Sequence, residues 1–325
     1  MVNFALMAYT MMFYNLENLY DTFEDPETND DEFTPVGEKR WTQDRFYKKL
    51  DNLSEVFSAV ASSHGGFPVI VGVSEVENIN VMRALSSRSR LAGSHYKCLH
   101  YESNDARGID VGAFYRSDKF KLVGSEPVPL VLRSGREYIG RNLLAMWGEI
   151  DGEMFAIYVC HLLSRRAGVE ASQGFRRAGT ETARDHARRL AQLYPGIKVV
   201  IMGDMNDTPA DASLAQLLPA RKSIFKVAEG EYFNPFWALM EEGKGTSIHE
   251  NRWKLYDNIV VSENMIETSP RMSGLHLVKS DSRHYGEIFS RNFMLQRGHP
   301  KRCYCGNHFQ SGYSDHLPVV IKLDR

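Results

Sequence analysis

The chain has 325 residues, 43% of them hydrophobic and 25% charged, an ordinary globular composition with enough apolar material for a full core. No run approaches the roughly 20 apolar residues of a bilayer-spanning helix. The net charge of −2 and a pI near 6.6 exclude a global basic field that would draw in nucleic acid. Charge is nonetheless local: arginines crowd from Arg165 to Arg189, and acids from Glu24 to Glu32. Both also read as solvated faces or loops.

The apolar N-terminal stretch from Met1 to Asn15 has no basic residue before its apolar part, so it lacks the start of a secretory signal and reads as the first strand. Polar groups take over at Asn15-Leu16-Glu17-Asn18. The acidic, Pro- and Gly-punctuated segment from Asp21 to Arg40 is a long loop. Thr42 is placed to cap a helix with Phe46, Leu50, Leu53, Phe57 and Val60 on one face, ended by Gly65-Gly66. A buried strand from Pro68 to Val73 runs into Glu75 and Glu77, and a helix follows through Val81, Met82 and Leu85.

Strands are expected at Tyr96–Tyr101, Val111–Arg116, Phe120–Val123, Leu143–Ile150 and Met154–His161. A helix from Thr180 to Tyr194 has Ala183, Ala187 and Leu190 on one face and arginines on the other. The next stretch, Val199 to Pro209, is a short apolar run stopped by turn residues, a buried strand. Gly203 is expected to let the backbone turn, and alternation points Asp204 and Asn206 the same way. A short helix near Ser213–Leu218 follows. Trp253 to Val261 is strand-like with Asp257 in its middle. After a loop-heavy region from Ser269 to Gly312, Ser314-Asp315-His316 precedes a last strand, Val319–Leu323. No repeat or linker interrupts the chain, so residues 1–325 read as one domain.

Asn15, Glu75, His161, Asp204, Asn206 and the Asp315-His316 pair all fall at or beside a predicted strand end. One such residue is an ordinary turn residue, but this many carboxylates, amides and histidines, with no nucleophilic Ser or Cys motif, point to a shared cleft. Oxygen ligands with sparse protein ligation suit Mg²⁺ or Mn²⁺ better than zinc. A metal of that kind polarises a phosphoryl oxygen, an Asp orients water, and histidines donate to the charge that builds.

The ordered set NLEN, SEVEN, RGIDVGAFYR, VCHLLSRR, IMGDMNDTP, LYDNIVVS and GYSDHLPVV resembles the endonuclease/exonuclease/phosphatase superfamily from Asn15 to Val320. D-x-RGID and the SRR after His161 are similar to its bacterial branch. The resemblance implies an α+β fold, a four-layer αββα sandwich with two mixed β-sheets packed face to face and helices outside. It implies Glu75 as principal metal ligand, supported by Asn15 and Glu17, with Asp315 completing the metal-side carboxylates. Asp204 would align and activate water, Asn206 hold the phosphate, His316 meet the phosphoryl group, and Asp257 orient His316. His161 matches the strand-end histidine of the phosphatase and sphingomyelinase branches. Leu162-Leu163 departs from the Trp-Pro that close relatives often carry. Arg107, Arg141, Arg165 and Arg166 are candidate clamps for substrate phosphate, since Arg forks match its oxygens.

Competing readings are a surface acid for Glu17, a salt-bridged structural acid for Asp257, a loop residue for Glu77 and a solvated basic rim for the arginines. For the whole chain, the expectation is a metal-dependent phosphoester hydrolase acting on a phosphodiester, nucleic acid included, or on a small polyanion or lipid headgroup. The alternatives are a catalytically silent binding module on the same fold and a zinc-stabilised interaction protein built on His299, Cys303, Cys305 and His308. That H-x3-C-x-C-x2-H spacing does not match the usual zinc frames. The four cysteines, Cys98, Cys160, Cys303 and Cys305, give no disulfide framework and lean towards a reducing compartment. A cytoplasmic location is expected, with export after signal trimming left open.

Overall fold

The alternation of buried side chains along β1 (Tyr9–Leu19) explains the layering. Met11 and Phe13 join the core between two sheets, while Met12 and Tyr14 face the outer helices. The computed structural model describes residues 8–138, 140–267 and 274–325; the expected strand character of Met1–Met7 lies outside them, as does part of the expected loop after Ser269.

Sheet one contains β1, β2 (Ile70–Val76), β3 (Tyr96–His100) and β4 (Asp110–Arg116). Sheet two contains β5 (Phe120–Val128), β6 (Leu143–Ile150), β7 (Glu153–His161), β8 (Lys198–Asp204), β9 (Ala220–Arg221), β10 (Tyr232–Phe233) and β11 (Asp257–Ser262). Three more strands, β12 (His276–Val278), β13 (Gly286–Ile288) and β14 (Val319–Asp324), return to sheet one. The order is β12-β14-β1-β2-β4-β3 with β13 also on β14 in one sheet, and β5-β6-β7-β8-β11-β10-β9 in the other. Parallel β1–β2 and β7–β8 pairs make both sheets mixed.

Helices cover both outer faces, completing the expected four-layer αββα sandwich. On sheet one, α1 (Gln43–His64) buries the predicted stripe Phe46, Leu50, Leu53, Phe57 and Val60, beside α2 (Ile79–Ser86). Thr42 holds the N-cap position without a side-chain hydrogen bond, and Gly65 ends α1 in the left-handed region with φ 74°. On sheet two, α3 (Val169–Leu193) packs Ala183, Ala187 and Leu190 against Tyr158 and Ile201.

Three elements differ from expectation. Helix α3 begins at Val169, not near Thr180, and its arginine face is not wholly solvated: Arg176 is buried, with Nε 2.7 Å from Asp207 Oδ1. A buried guanidinium is tolerated because that carboxylate and the Ser172 hydroxyl satisfy it. The expected strand around Asp257 is broken. Arg252–Lys254 pairs with Ser247–His249, and the chain changes partner so that Asp257 opens β11 against β8.

Gly203 is the third. It lies within β8, outside the left-handed region, and is not a turn residue. A Cβ there would stand 2.2 Å from the Cys160 carbonyl oxygen, so the glycine permits close strand approach. The turn falls to Asn206, with φ 49°. Gly203→Ala is therefore expected to cost about 1–3 kcal/mol by overpacking. A lower urea midpoint at unchanged slope checks this; an unchanged midpoint would contradict it.

Candidate active site

Strand register assembles half of the site. His161 stands opposite Asp204 across β7–β8, and Asp204 opposite Asp257 across β8–β11. The other half comes from facing irregularities in sheet one. Pairing of β1 with β2 slips between Asn15 and Leu19, and the slip leaves Glu75 unpaired in the left-handed region with φ 60°. Glu17 and Asn18 share that conformation, with φ 51° and 52°. Such bulges re-aim side chains at a strand end.

Backbone and amide donors compensate the crowded acids. Asn18 N–H donates to Glu75 Oε2 at 3.0 Å, and Asn206 N–H donates to Asp204 Oδ1 at 3.0 Å. The Asn15 amide nitrogen donates to Asp204 Oδ2 at 3.1 Å and to Glu75 Oε1 at 3.4 Å, tying the two acids together. Its oxygen accepts from Glu17 N–H at 2.9 Å, so in this arrangement Asn15 turns a donor towards the carboxylates.

The far end of the chain is held by buried polar contacts. Lys49 of α1 donates to the Tyr313 carbonyl at 2.7 Å, and Asn52 to that of Gly312 at 2.7 Å. Ser314 Oγ donates to the Asn15 carbonyl at 2.7 Å and accepts from His316 N–H at 3.1 Å. His316 Nδ1 thereby lies 2.7 Å from Asp257 Oδ2, and its Nε2 lies 3.9 Å from Asp204 Oδ2. The other oxygen of fully buried Asp257 has no hydrogen-bond partner.

The two histidines are opposites. For His316, burial opposes the charged ring, but the carboxylates of Asp257, Asp204 and Asp315 together carry its pKa well above the usual value. His161 is driven well below it by burial, by Arg141 and Arg107, and by His316. Arg141 Nη1 stands 2.6 Å from His161 Nδ1 and can only donate, so the ring's proton sits on Nε2. That nitrogen is 3.8 Å from both Glu75 Oε1 and Asp204 Oδ2. Burial, then the charges of Asp257 and Glu75, push the Asp204 carboxyl up to about 7, against the opposing pull of His316 and the Asn206 N–H.

Around one cleft stand Glu75, His161, Asp204, Asn206, Asp315 and His316, with Arg107, Arg141, Arg165 and Arg166 on its walls. Most of these arginines are already committed. Arg165 donates to the Asn206 carbonyl at 2.8 Å and pairs with Asp207 and Asp211. Arg141 holds Asp105 at 3.0 Å as well as His161. Arg107 contacts Asn18 and lies 3.8 Å from Glu75, whereas Arg166 is exposed.

Glu17 is no surface acid: it is buried, accepts from Cys303 N–H at 2.6 Å and faces Lys49 at 3.8 Å. Burial, then Asp315, raises its pKa to about 7. Glu77 is also buried and accepts from Asp21 N–H at 2.5 Å. Two participants escaped the sequence reading. Arg302 bridges Glu17 and Asp315 at 3.4 and 3.3 Å, and Asp105 orients Arg141. Asp105 sat within the D-x-RGID motif; Arg302 had no signal.

Among the described residues, the acids and imidazole of this cleft that could share one ion are Asp204, Asp257 and His316. His299, Cys303, Cys305 and His308 form no such group, and Cys303 packs in the outer core while Cys305 is exposed. No helix among the described residues is long and apolar enough to cross a membrane.

An αββα sandwich with this cleft is that of a hydrolase acting on phosphate esters. The chain belongs to the endonuclease/exonuclease/phosphatase family, whose sequence model matches residues 10–325. No curated protein matches its sequence. Solved structures share the fold at low identity. Human Nocturnin's catalytic domain with bound sulfate is 16% identical, with 98% of this chain and 95% of that one covered and a TM-score of 0.57. A mannosyl-6-phosphatase from Bacteroides thetaiotaomicron is 17% identical over 98% and 100% of the chains, TM-score 0.56. D. rerio TDP2 complexed with single-strand DNA product is 15% identical over 98% and 99%, TM-score 0.51.

In metal-free protein, imidazole ¹⁵N shifts are expected to show His316 losing its proton above, and His161 gaining one below, the usual histidine value of about 6.5. Asp257→Ala should lower the His316 pKa. The sign for stability follows: His316 contributes below the unfolded value near about 6.5 and loses that contribution as pH rises through its raised pKa. A His316 that titrates near about 6.5 with Asp257 intact would contradict the geometry.

Proposed function

We propose that the protein hydrolyses a phosphate ester with a divalent cation, Mg²⁺ or Mn²⁺, using water activated by Asp204. The observation that carries this reading is the convergence of Asp204, Glu75 and the His316–Asp257 pair in one place from three strand ends and the segment before β14. Residues 1–325 act as one domain in this reading.

The donor set fits a hard cation: carboxylate oxygens of Glu75 and Asp315 stand in the cleft, and Asp257 has an oxygen without a partner. Glu75 is the principal metal ligand in this proposal, with Asp315, Glu17 and Asn15 on the metal side. Asn15 would have to turn its amide to offer oxygen, and Glu17 to release Cys303. Bound there, the cation supplies charge to a phosphoryl oxygen and the leaving group.

The remaining work falls to the chain's own atoms. Asp204, held by the Asn206 N–H and the Asn15 amide, accepts the water proton. Asn206 keeps its side chain beside the phosphate through a 2.9 Å bond to the Leu162 carbonyl. His161 and His316 each direct an Nε2–H into the cleft, donors for the charge that builds on the phosphoryl oxygens. Asp257 fixes the His316 ring. Arg107 and Arg166 bind substrate, and Arg141 and Arg165 hold the binding walls in place. No side chain need form a covalent intermediate.

A compact polyanion is the better-supported substrate class. Among the described lining, Tyr256 is the one Phe, Tyr or Trp ring of the cleft, and Arg165 lies over it at 5.3 Å, which leaves no free phenol or indole face there for stacked bases. A phosphodiester or nucleic-acid substrate is the second reading, supported by the TDP2 likeness in fold.

With nitrophenyl phosphate mono- and diesters, sugar phosphates and single-stranded DNA as a panel, turnover is expected to need Mg²⁺ or Mn²⁺ and to stop with chelator. Asp204→Asn should lower kcat/KM by about 10²–10⁴ at little cost in fold, and His316→Ala by about 10²–10³. Arg166→Ala should raise KM with kcat kept. Chelator-insensitive turnover, or an Asp204→Asn enzyme of full activity, would sink the reading.

A further inference from the structure

Away from the cleft, β3 and β4 end beside a second cluster that the reaction does not use. His100 closes β3, Asp110 opens β4, and Glu102 follows two residues after His100. One ligand atom from each lies within 4.8 Å of the others. The His100 side chain is only 2% exposed, yet its Nε2 has no hydrogen-bond partner. That nitrogen faces Asp110 Oδ2 at 3.7 Å, while Nδ1 faces Glu102 Oε1 at 3.5 Å.

A neutral imidazole has one N–H, so one ring nitrogen must turn a lone pair towards a carboxylate. Two lone pairs facing each other out of water are unfavourable unless a proton or a metal cation lies between them. Asp110 is already aimed: Ser103 donates to it through both its hydroxyl and, at 3.3 Å, its N–H. Carboxylates oriented by outer hydrogen bonds are a usual support of metal ligands. Glu102, 69% exposed, is free to swing to the Nε2 side.

We propose that His100, Glu102 and Asp110 form a second divalent-cation site, distinct from the cleft and suited to Zn²⁺. One imidazole and two carboxylates match a borderline ion better than Mg²⁺ or Ca²⁺, which take oxygen alone. Ligand atoms of a tetrahedral zinc lie about 3.3–3.6 Å apart; His100 Nε2 and Asp110 Oδ2 stand 3.7 Å apart, and Glu102 has to move from the Nδ1 side to join them. The neighbouring surface supports cation capture. Glu102 forms part of an acidic bowl with Asp21, Asp25, Glu77 and Asp105, and no lysine or arginine is among its described lining. Lines of one sign in a concave surface raise the local cation concentration.

The ion clips the two ends of the 101–109 loop. That loop carries Asp105, which holds Arg141 at 3.0 Å, and Arg107, which faces Glu75. Filling this site therefore stiffens the segment that supplies one wall of the cleft.

Equilibrium dialysis of the chelator-stripped full chain against Zn²⁺, with metal counted by atomic emission, tests the proposal. Glu75→Gln marks ions that belong to the cleft. His100→Gln is expected to bind one Zn²⁺ fewer per chain than wild type and to lose part of the Zn²⁺-induced rise in Tm. Glu102→Gln, at an exposed position, should weaken the same equivalent at least about tenfold without disturbing the fold. Glu75→Gln should retain it. Wild-type stoichiometry in both His100→Gln and Glu102→Gln, or loss of all bound Zn²⁺ in Glu75→Gln, would overturn it. Should His100→Gln fail to fold, Glu102→Gln decides.

Discussion

Three carboxylates, Glu75, Asp204 and Asp257, are forced together at one end of the sandwich, and the last two are almost fully buried. Like charges at such range out of water cannot all ionise unless positive charge or donors compensate them. The compensation explains the architecture. His316 is tethered from the chain terminus beside Asp257, Asn15 bridges Asp204 and Glu75, and the His161–Arg141–Asp105 chain closes the remaining side. Outer braces then hold these elements: Lys49 and Asn52 grip the loop before Ser314, and Arg176 pins Asp207 after the Asp204 turn.

The cleft also concentrates backbone strain. Glu17, Asn18, Glu75 and Asn206 all adopt positive φ without being glycine. Each such position costs of order 1–3 kcal/mol and persists only where its surroundings over-determine it. Here the surroundings are the acids themselves, which accept N–H groups of two of the strained residues: Asn18 N–H goes to Glu75 and Asn206 N–H to Asp204. Strain and charge are thus two sides of one arrangement, since the conformations that expose these N–H groups stabilise the anions.

Much of this was legible in the residues. The alternation in β1, β7 and β8 and the apolar stripe of α1 reported both core faces, because period and burial are coupled. Strand ends bring Glu75, His161, Asp204 and Asn206 to one cleft, and the segment before β14 brings Asp315 and His316. What local pattern could not report was pairing. Asp257 looked mid-strand because nothing nearby in the chain says that β11 begins where it meets β8. Gly203 looked like a turn because its constraint is the Cys160 carbonyl on the neighbouring strand. Arg176 looked solvated because its partner lies 31 residues on. Arg165 and Arg141 looked like free clamps for the same reason, although their donors are spent on Asp207, Asp211, Asp105 and His161.

In the proposed reaction the labour is divided: Glu75 carries the metal and Asp204 remains free for water. The most direct measurement is anomalous scattering from crystals soaked with Mn²⁺ and inorganic phosphate. Mn²⁺ is expected within coordination distance of the Glu75 carboxylate, with phosphate between it and the Nε2 atoms of His161 and His316. Mn²⁺ bound instead by Asp204, Asp257 and His316, with Glu75 unliganded, would contradict it.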